Sequence, residues 1–242
     1  MYEQFVDVTS KHGNIPSFMA MPSEDGQWPA IILYMDAPGI REELRNIARR
    51  IAKAGYVCIL PDLYHRYGTL RFDTPRRNEA MGNVIKAAYL SLNDDNINED
   101  TAGLIGFLDA QTQVKPGKIG TIGFCMSGRF VTTTAMAFPQ RIACAASLYG
   151  TRLVVDEDNS PHTRLEGITT EMYYGFGTID ATTPPDYIKT FTESLNAANV
   201  KYEMDIFEDV DHGYCFVERP AYNQHAAESS WAKIFAMYQR CL

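Results

Sequence analysis

Residues 123–129 read Gly-Phe-Cys-Met-Ser-Gly-Arg, where an apolar run, 118–124, meets a stretch of helical character, 127 to about 137. A strand that turns sharply into a helix needs small residues around the turn, because the two backbones nearly touch there. With Cys125 at the tip, Gly123 stands two places before it, Ser127 two after and Gly128 three after. With Ser127 at the tip, the flanking places fall to Cys125 and Arg129, and an arginine fits the crowded one badly. The turn therefore favours Cys125 as the presented residue, and the first turn of the following helix adds positive potential beside a thiolate there. The bland alternative is a buried thiol in a glycine-rich connection, since free cysteine usually behaves as a small hydrophobe.

Outward from the turn, strands and helices alternate. Residues 2–8 and 15–21 alternate apolar and polar around Lys-His-Gly-Asn, the pattern of an antiparallel hairpin. Ala-Ile-Ile-Leu-Tyr-Met-Asp, 30–36, is a continuous apolar run, as expected of a strand buried on both faces. Apolar residues at 44, 47, 48 and 51 mark a helix over 42–54 that stops at Gly55, and 56–62 is a second buried strand. The spacing predicts helices over 76–92 and 98–111, then strands over 118–124, 142–149, 171–176 and 201–207. Thr-Thr-Pro-Pro, 182–185, starts a helix running to about 198, and an amphipathic helix over 221–240 closes the chain. Such alternation implies an α/β fold with a mainly parallel, doubly wound sheet and helices on both faces. No linker or repeat interrupts it, so a single domain over 1–242 is expected. Segment 62–75, rich in Tyr, Arg and His, reads as a loop over a site.

The bulk numbers exclude several function classes. The chain has 242 residues, 45% of them hydrophobic, enough for a sizeable core. Its net charge of −8 disfavours sequence-independent binding to nucleic acid or to anionic membranes. No apolar run approaches the roughly 20 residues of a membrane span, and the first residues lack the features of a secretory signal. The five cysteines, 58, 125, 144, 215 and 241, form neither a Cys-x-x-Cys pair nor a metal-ligand cluster, which argues against a disulfide scaffold and a zinc site. The expectation is a cytoplasmic enzyme without metal or cofactor, a monomer or small homo-oligomer acting on a small molecule.

A thiol nucleophile wants a base, and the base an orienting group. In open α/β sheets these sit beyond the carboxyl ends of the strands. Asp180 follows the strand at 171–176, His212 follows that at 201–207, and Asp36 ends that at 30–36. Of the five histidines, His12, His162 and His225 sit in turn or polar surroundings, and His65 lies in the irregular segment without a visible partner. His212, beside Gly213, is the one in a turn at a strand's carboxyl end. Asp209 and Asp211 are close enough to His212 to shape its turn rather than pair with it. Asp180 could be a mere cap for the following helix. Asp36, a carboxylate after six apolar residues, suggests a site. The order nucleophile, acid, histidine is that of an α/β-hydrolase.

These motifs resemble the dienelactone hydrolase family of the α/β-hydrolase fold over nearly the whole chain. They comprise Tyr-Met-Asp-Ala-Pro-Gly-Ile (34–40), Pro-Asp-Leu-Tyr (61–64), the cysteine turn, Asp-Ala-Thr-Thr-Pro (180–184) and Asp-His-Gly-Tyr-Cys-Phe (211–216). The resemblance implies Cys125 as nucleophile, His212 as base and Asp180 as the acid orienting it. It implies an oxyanion hole from the amides of Met126 and Ala37, and a small carboxylic ester or lactone as substrate. Asp36, Tyr64 and Phe216 fall at positions linked to substrate binding or thiol activation. Three departures stand out. Relatives of the best-studied type carry glutamate where this chain has Asp36, a second glycine where it has Ser127, and a carboxylate-gripping arginine where it has Phe216. Arg76 and Arg77 lie near the position of a second such arginine. The rival reading is a non-catalytic or redox-sensing relative with a reactive cysteine.

Overall fold

The computed structural model describes residues 1–242. The chain forms two compact units, Met1–Gly117 and Lys118–Leu242.

In the first unit, β1 (Tyr2–Ser10) and β2 (Gly13–Met21) form the hairpin, β2 pairs antiparallel with β4 (Val57–Pro61), and β4 pairs parallel with β3 (Ala30–Tyr34). The lateral order is β1-β2-β4-β3. Every residue of β3 and β4 is buried, which accounts for their unbroken apolar sequences. Helix α1 (Glu42–Lys53) packs on β2 and β4 through Leu44, Ile47 and Ile51, each worth about 1.5–3 kcal/mol of burial. Helices α2 (Glu79–Leu90) and α3 (Asp94–Asp109) follow, and α3 packs on β1. Segment 62–75 is irregular but for short 3-10 turns at His65–Tyr67 and Thr74–Arg76.

In the second unit, β5 (Ile119–Phe124), β6 (Ile142–Leu148), β7 (Glu171–Gly177) and β8 (Tyr202–Phe207) are parallel neighbours in chain order. Helices α4 (Ser127–Ala137), α5 (Pro185–Ala197) and α6 (Gln224–Cys241) connect or follow them. Helix α4 packs on β5 and β6, and α6 on β6 and β7. Residues 127–135 of α4 are buried on every side. Its three threonines fit there because their hydroxyls donate back to carbonyls one turn earlier, Thr132 to Gly128 at 3.1 Å and Thr134 to Phe130 at 2.7 Å.

Element identities match the sequence expectation, but bounds differ: β3 stops at Tyr34 and β4 at Pro61, so Asp36 and Asp62 lie just past their strands rather than in them, and three helix starts shift. Helices α2, α3 and α6 begin at Glu79, Asp94 and Gln224 rather than at 76, 98 and 221. An asparagine caps each one: Asn78, Asn93 and Asn223 accept the N–H of Met81, Asn96 and Ala226 at 2.9–3.0 Å. No helix is long and apolar enough to cross a membrane.

Candidate active site

The turn between β5 and α4 holds Cys125 at φ +56°, a left-handed conformation that a cysteine adopts only when its surroundings impose it. Three backbone hydrogen bonds do so. The Cys125 N–H donates to Leu148 O at 3.1 Å, and its carbonyl accepts from Gly128 at 3.0 Å and Thr151 at 2.9 Å. Gly128 crosses the chain after β6 so closely that a Cβ there would lie 2.2 Å from the Gly150 Cα. At Gly123, a Cβ would meet the Ser127 carbonyl oxygen at 2.8 Å. Glycine is therefore required two places before and three after Cys125, as its sequence placement predicts. From residue 119 to 135 every residue is buried except Cys125; Ser127 is 0% exposed.

His212 is held by two loops fastened to each other. After β7, Thr178 N–H donates to Phe207 O at 2.9 Å and Ile179 N–H to Val210 O at 3.2 Å. Asp209, at φ +55°, donates its N–H to Thr178 Oγ1 at 2.9 Å. Gly177 allows the approach, since a Cβ there would stand 2.1 Å from the Val210 oxygen. Asp211 accepts the His212 backbone N–H at 2.6 Å. Asp209 and Asp211 thus shape the turn, as their spacing suggested, and neither pairs with the imidazole.

The pairing goes to Asp180, 2% exposed, whose Oδ2 accepts from His212 Nδ1 at 2.7 Å. Its other oxygen accepts from Thr182, at 2.8 Å from the backbone N–H and 2.6 Å from the hydroxyl. The Thr182 hydroxyl oxygen also lies 3.0 Å from His212 Nδ1. With Nδ1 committed to Asp180, Nε2 is the nitrogen left for the Cys125 thiol, whose influence reaches the imidazole. Burial opposes a charge on His212, but the Asp180 and Cys125 contacts outweigh it and push its pKa up to about 10. Burial alone would raise Asp180, yet hydrogen bonds from His212 and then Thr182 hold its carboxyl below the usual range. The arrangement is a carboxylate, an imidazole that retains its proton readily, and an accessible thiol. It can carry a proton between sulfur and a group bound at that sulfur.

An aromatic wall supports the histidine. Tyr149, directly after β6, meets the imidazole edge-to-face at 5.0 Å, and Phe216 packs against Phe124 at 5.1 Å and Tyr149 at 6.2 Å. Phe216 is buried, and the Arg219 guanidinium lies 4.5 Å over its ring. A cleft of about 540 Å³ beside His212 is lined by Ile179, Asp211, Arg219, Tyr222 and Asn223 among others. Met126, 3% exposed, directly precedes α4.

The remaining sequence candidates lie in the first unit. Asp36 is fully buried, and Arg41 grips both its oxygens at 2.5 and 3.2 Å while also holding Glu43 at 2.7 Å. The carboxylate is half of an ion pair rather than a free charge. Tyr64 is buried and donates its hydroxyl to the Ala37 carbonyl at 2.7 Å. His65, which shows no partner in sequence, has one from α3: its Nε2 lies 3.1 Å from Asp100 Oδ2. Thr182 and Tyr149 are the site residues that sequence reasoning missed. The Asp-x-Thr spacing of an Asx turn could have suggested the first; only the end of β6 marks the second.

The profile described as "Dienelactone hydrolase family" matches residues 15–242. A Synechocystis protein named "Putative carboxymethylenebutenolidase" is 28% identical over 239 residues, covering 97% of this chain and 95% of that one. One of the same name from Escherichia coli K12 is 26% identical, covering 98% and 86%. Among solved structures, the "Putative Dienelactone Hydrolase" of Klebsiella pneumoniae superimposes with a TM-score of 0.88 at 25% identity, covering 98% of both chains. A dienelactone hydrolase-like promiscuous phosphotriesterase from metagenomic libraries shares the fold at a TM-score of 0.80 and 16% identity. With a cysteine on a strained strand-to-helix turn, a mainly parallel α/β-hydrolase architecture and a family match over all but its first strand, the chain belongs to the dienelactone hydrolase family and is a hydrolase.

Proposed function

We propose that this protein hydrolyses a small carboxylic ester or lactone through an acyl-cysteine intermediate on Cys125. The observation that carries the reading is the part-exposure of Cys125 alone within the otherwise buried run 119–135, under the influence of an imidazole that Asp180 orients. His212 takes the thiol proton, and the thiolate attacks the carbonyl carbon. The oxygen gains charge and is met by the Met126 amide at the head of α4, a donor worth about 3–4 kcal/mol in comparable sites. The family resemblance implies the Ala37 amide as a second donor. The Tyr64 hydroxyl, bonded to the Ala37 carbonyl, acts as its positioning residue. Protonated His212 returns the proton to the leaving alkoxide, then activates the water that releases the acid.

Thiolate is a good leaving group, so the tetrahedral intermediate goes forward only when the departing oxygen competes with it. Activated esters and enol lactones satisfy this and plain amides do not, which argues against peptidase activity. Phe216, where relatives carry an arginine, is buried against Phe124 and Tyr149, so that position offers no charge to a substrate carboxylate, and Asp36 contributes as the partner of Arg41. The same reading places the protein in the cytoplasm, where the thiol stays reduced.

The test is the turnover of an activated aryl ester. Cys125→Ala should abolish it, by about 10³-fold or more, while Ser127→Ala should retain most of it. The reverse result would overturn the choice of nucleophile. Unchanged turnover in both variants would favour a redox-sensing role for Cys125.

A further inference from the structure

Two thiols outside the site meet at the other end of the second unit's sheet. Cys144 lies near the start of β6, fully buried, and its partner in the parallel register is Glu171, the first residue of β7. Cys241, the last residue of α6 and part-exposed, reaches the same spot. Its Sγ lies 3.7 Å from Glu171 Oε2, so both thiols flank the same glutamate and lie close enough to influence each other's ionisation. Glu171 is itself neutralised by Lys201 and Arg240, each at 2.5 Å. The pair is remote from Cys125. Leu148, which holds the Cys125 amide, is four residues along β6 from Cys144, roughly 13 Å of extended chain.

The two sulfurs are unlike. Cys144, more than any other group, holds the Cys241 thiol below its ordinary value, with Arg240 assisting and burial and Glu171 opposing. Cys241 and then burial push the Cys144 thiol up. One member is part-exposed and the other is fully buried. That asymmetry is what an attacking thiol and its resolving partner need.

We propose that Cys144 and Cys241 form a reversible intramolecular disulfide that clips α6 to β6 when a small disulfide such as glutathione disulfide is present as oxidant. The Cys241 thiolate attacks one sulfur of the small disulfide; that S–S bond breaks, a mixed disulfide forms and one small thiolate leaves. Cys144 then loses its proton to the departing group and its sulfur attacks the Cys241 sulfur, releasing the second small thiol. Two protein thiols are oxidised and one small disulfide is reduced to two thiols, so atoms and electrons balance. Bond formation needs the sulfurs to close to about 2 Å, a movement that the last turn of a helix can supply.

The experiment incubates the full chain in glutathione buffers from fully reduced to fully oxidised, quenches with acid, alkylates, and reads intact mass and peptide maps. The expected product is two hydrogens lighter and yields one cross-linked peptide pair containing residues 144 and 241. It forms equally in a Cys125→Ala background, and dithiothreitol reverses it. Its Tm should exceed that of the reduced protein by roughly 5–10 °C. Cys241→Ser, a change at a part-exposed position, should remove both the product and the Tm difference while leaving ester hydrolysis unchanged. Three results would overturn the proposal: a protein that stays reduced in glutathione disulfide alone, a Cys241 that stops at the mixed disulfide, or a link that joins Cys58 or Cys215 instead.

Discussion

The chain contains two buried histidine–carboxylate pairs, and they differ in ways that separate structure from chemistry. His65 and Asp100 are sealed, their side chains 2% and 1% exposed. Arg66 also grips Asp100 with both terminal nitrogens, at 2.7 and 2.9 Å. His212 keeps 20% of its side chain exposed, its carboxylate carries no guanidinium, and its second nitrogen faces a thiol. Burial opposes ionisation of both carboxylates, and both nonetheless stay below the usual range. Asp100 does so through His65 and Arg66, Asp180 through His212 and then Thr182. In the first pair the carboxylate is shared between the histidine and an arginine. In the second the imidazole is the counter-charge, and its proton is the one that can move. A histidine beside an aspartate is therefore no sign of catalysis by itself; what faces the other nitrogen decides.

Substitutions can break this contrast. His212→Ala should lower kcat/KM for an activated ester by about 10³- to 10⁴-fold, whereas His65→Ala should leave it within about threefold. The same His65→Ala should cost about 1–3 kcal/mol of stability in urea unfolding. A comparable catalytic loss in both would erase the distinction. Asp180→Asn comes next, at about 10²- to 10⁴-fold in kcat. It removes the negative charge that raises His212, so the alkaline limb of the pH–rate profile should move down, from near 10 toward the ordinary histidine value of 6.5. An unmoved limb would mean that another group sets it. Thr182→Val removes one of two hydrogen bonds to Asp180 Oδ1 and should cost about tenfold in kcat with KM little changed.

The smallest effect is thermodynamic. His212 binds its proton more tightly folded than unfolded, so the pairing stabilises the fold in full below pH 6.5. The contribution fades as pH rises toward 10. Unfolding midpoints of the wild type and His212→Asn should therefore converge over that window.

Most of this site is local in origin, which is why the sequence shows it. Gly123 and Gly128 around Cys125 answer to backbone collisions within a few residues, and His212 and Asp180 follow strands whose apolar runs are plain. The helix starts shifted because Asn78, Asn93 and Asn223 cap more strongly than the flanking pattern suggested. What stayed hidden depends on long separations. The His65 partner comes from α3, Arg41 turns Asp36 into half of an ion pair, and Tyr149 reaches His212 from β6. Periodicity carries no information about which distant side chain will occupy a given space.

The seam between the two loops that carry Asp180 and His212 has a consequence for how such proteins diverge. It is held by main-chain groups of Thr178, Ile179, Phe207 and Val210, with one hydroxyl, and by the bare Cα of Gly177. Main-chain bonds are indifferent to most side chains, so positions along the seam can drift while its geometry persists. A relative can then differ at three residues in four and still superimpose with a TM-score of 0.88. Gly177, where any Cβ would strike the Val210 carbonyl, is the place on the seam where drift should cost the geometry most.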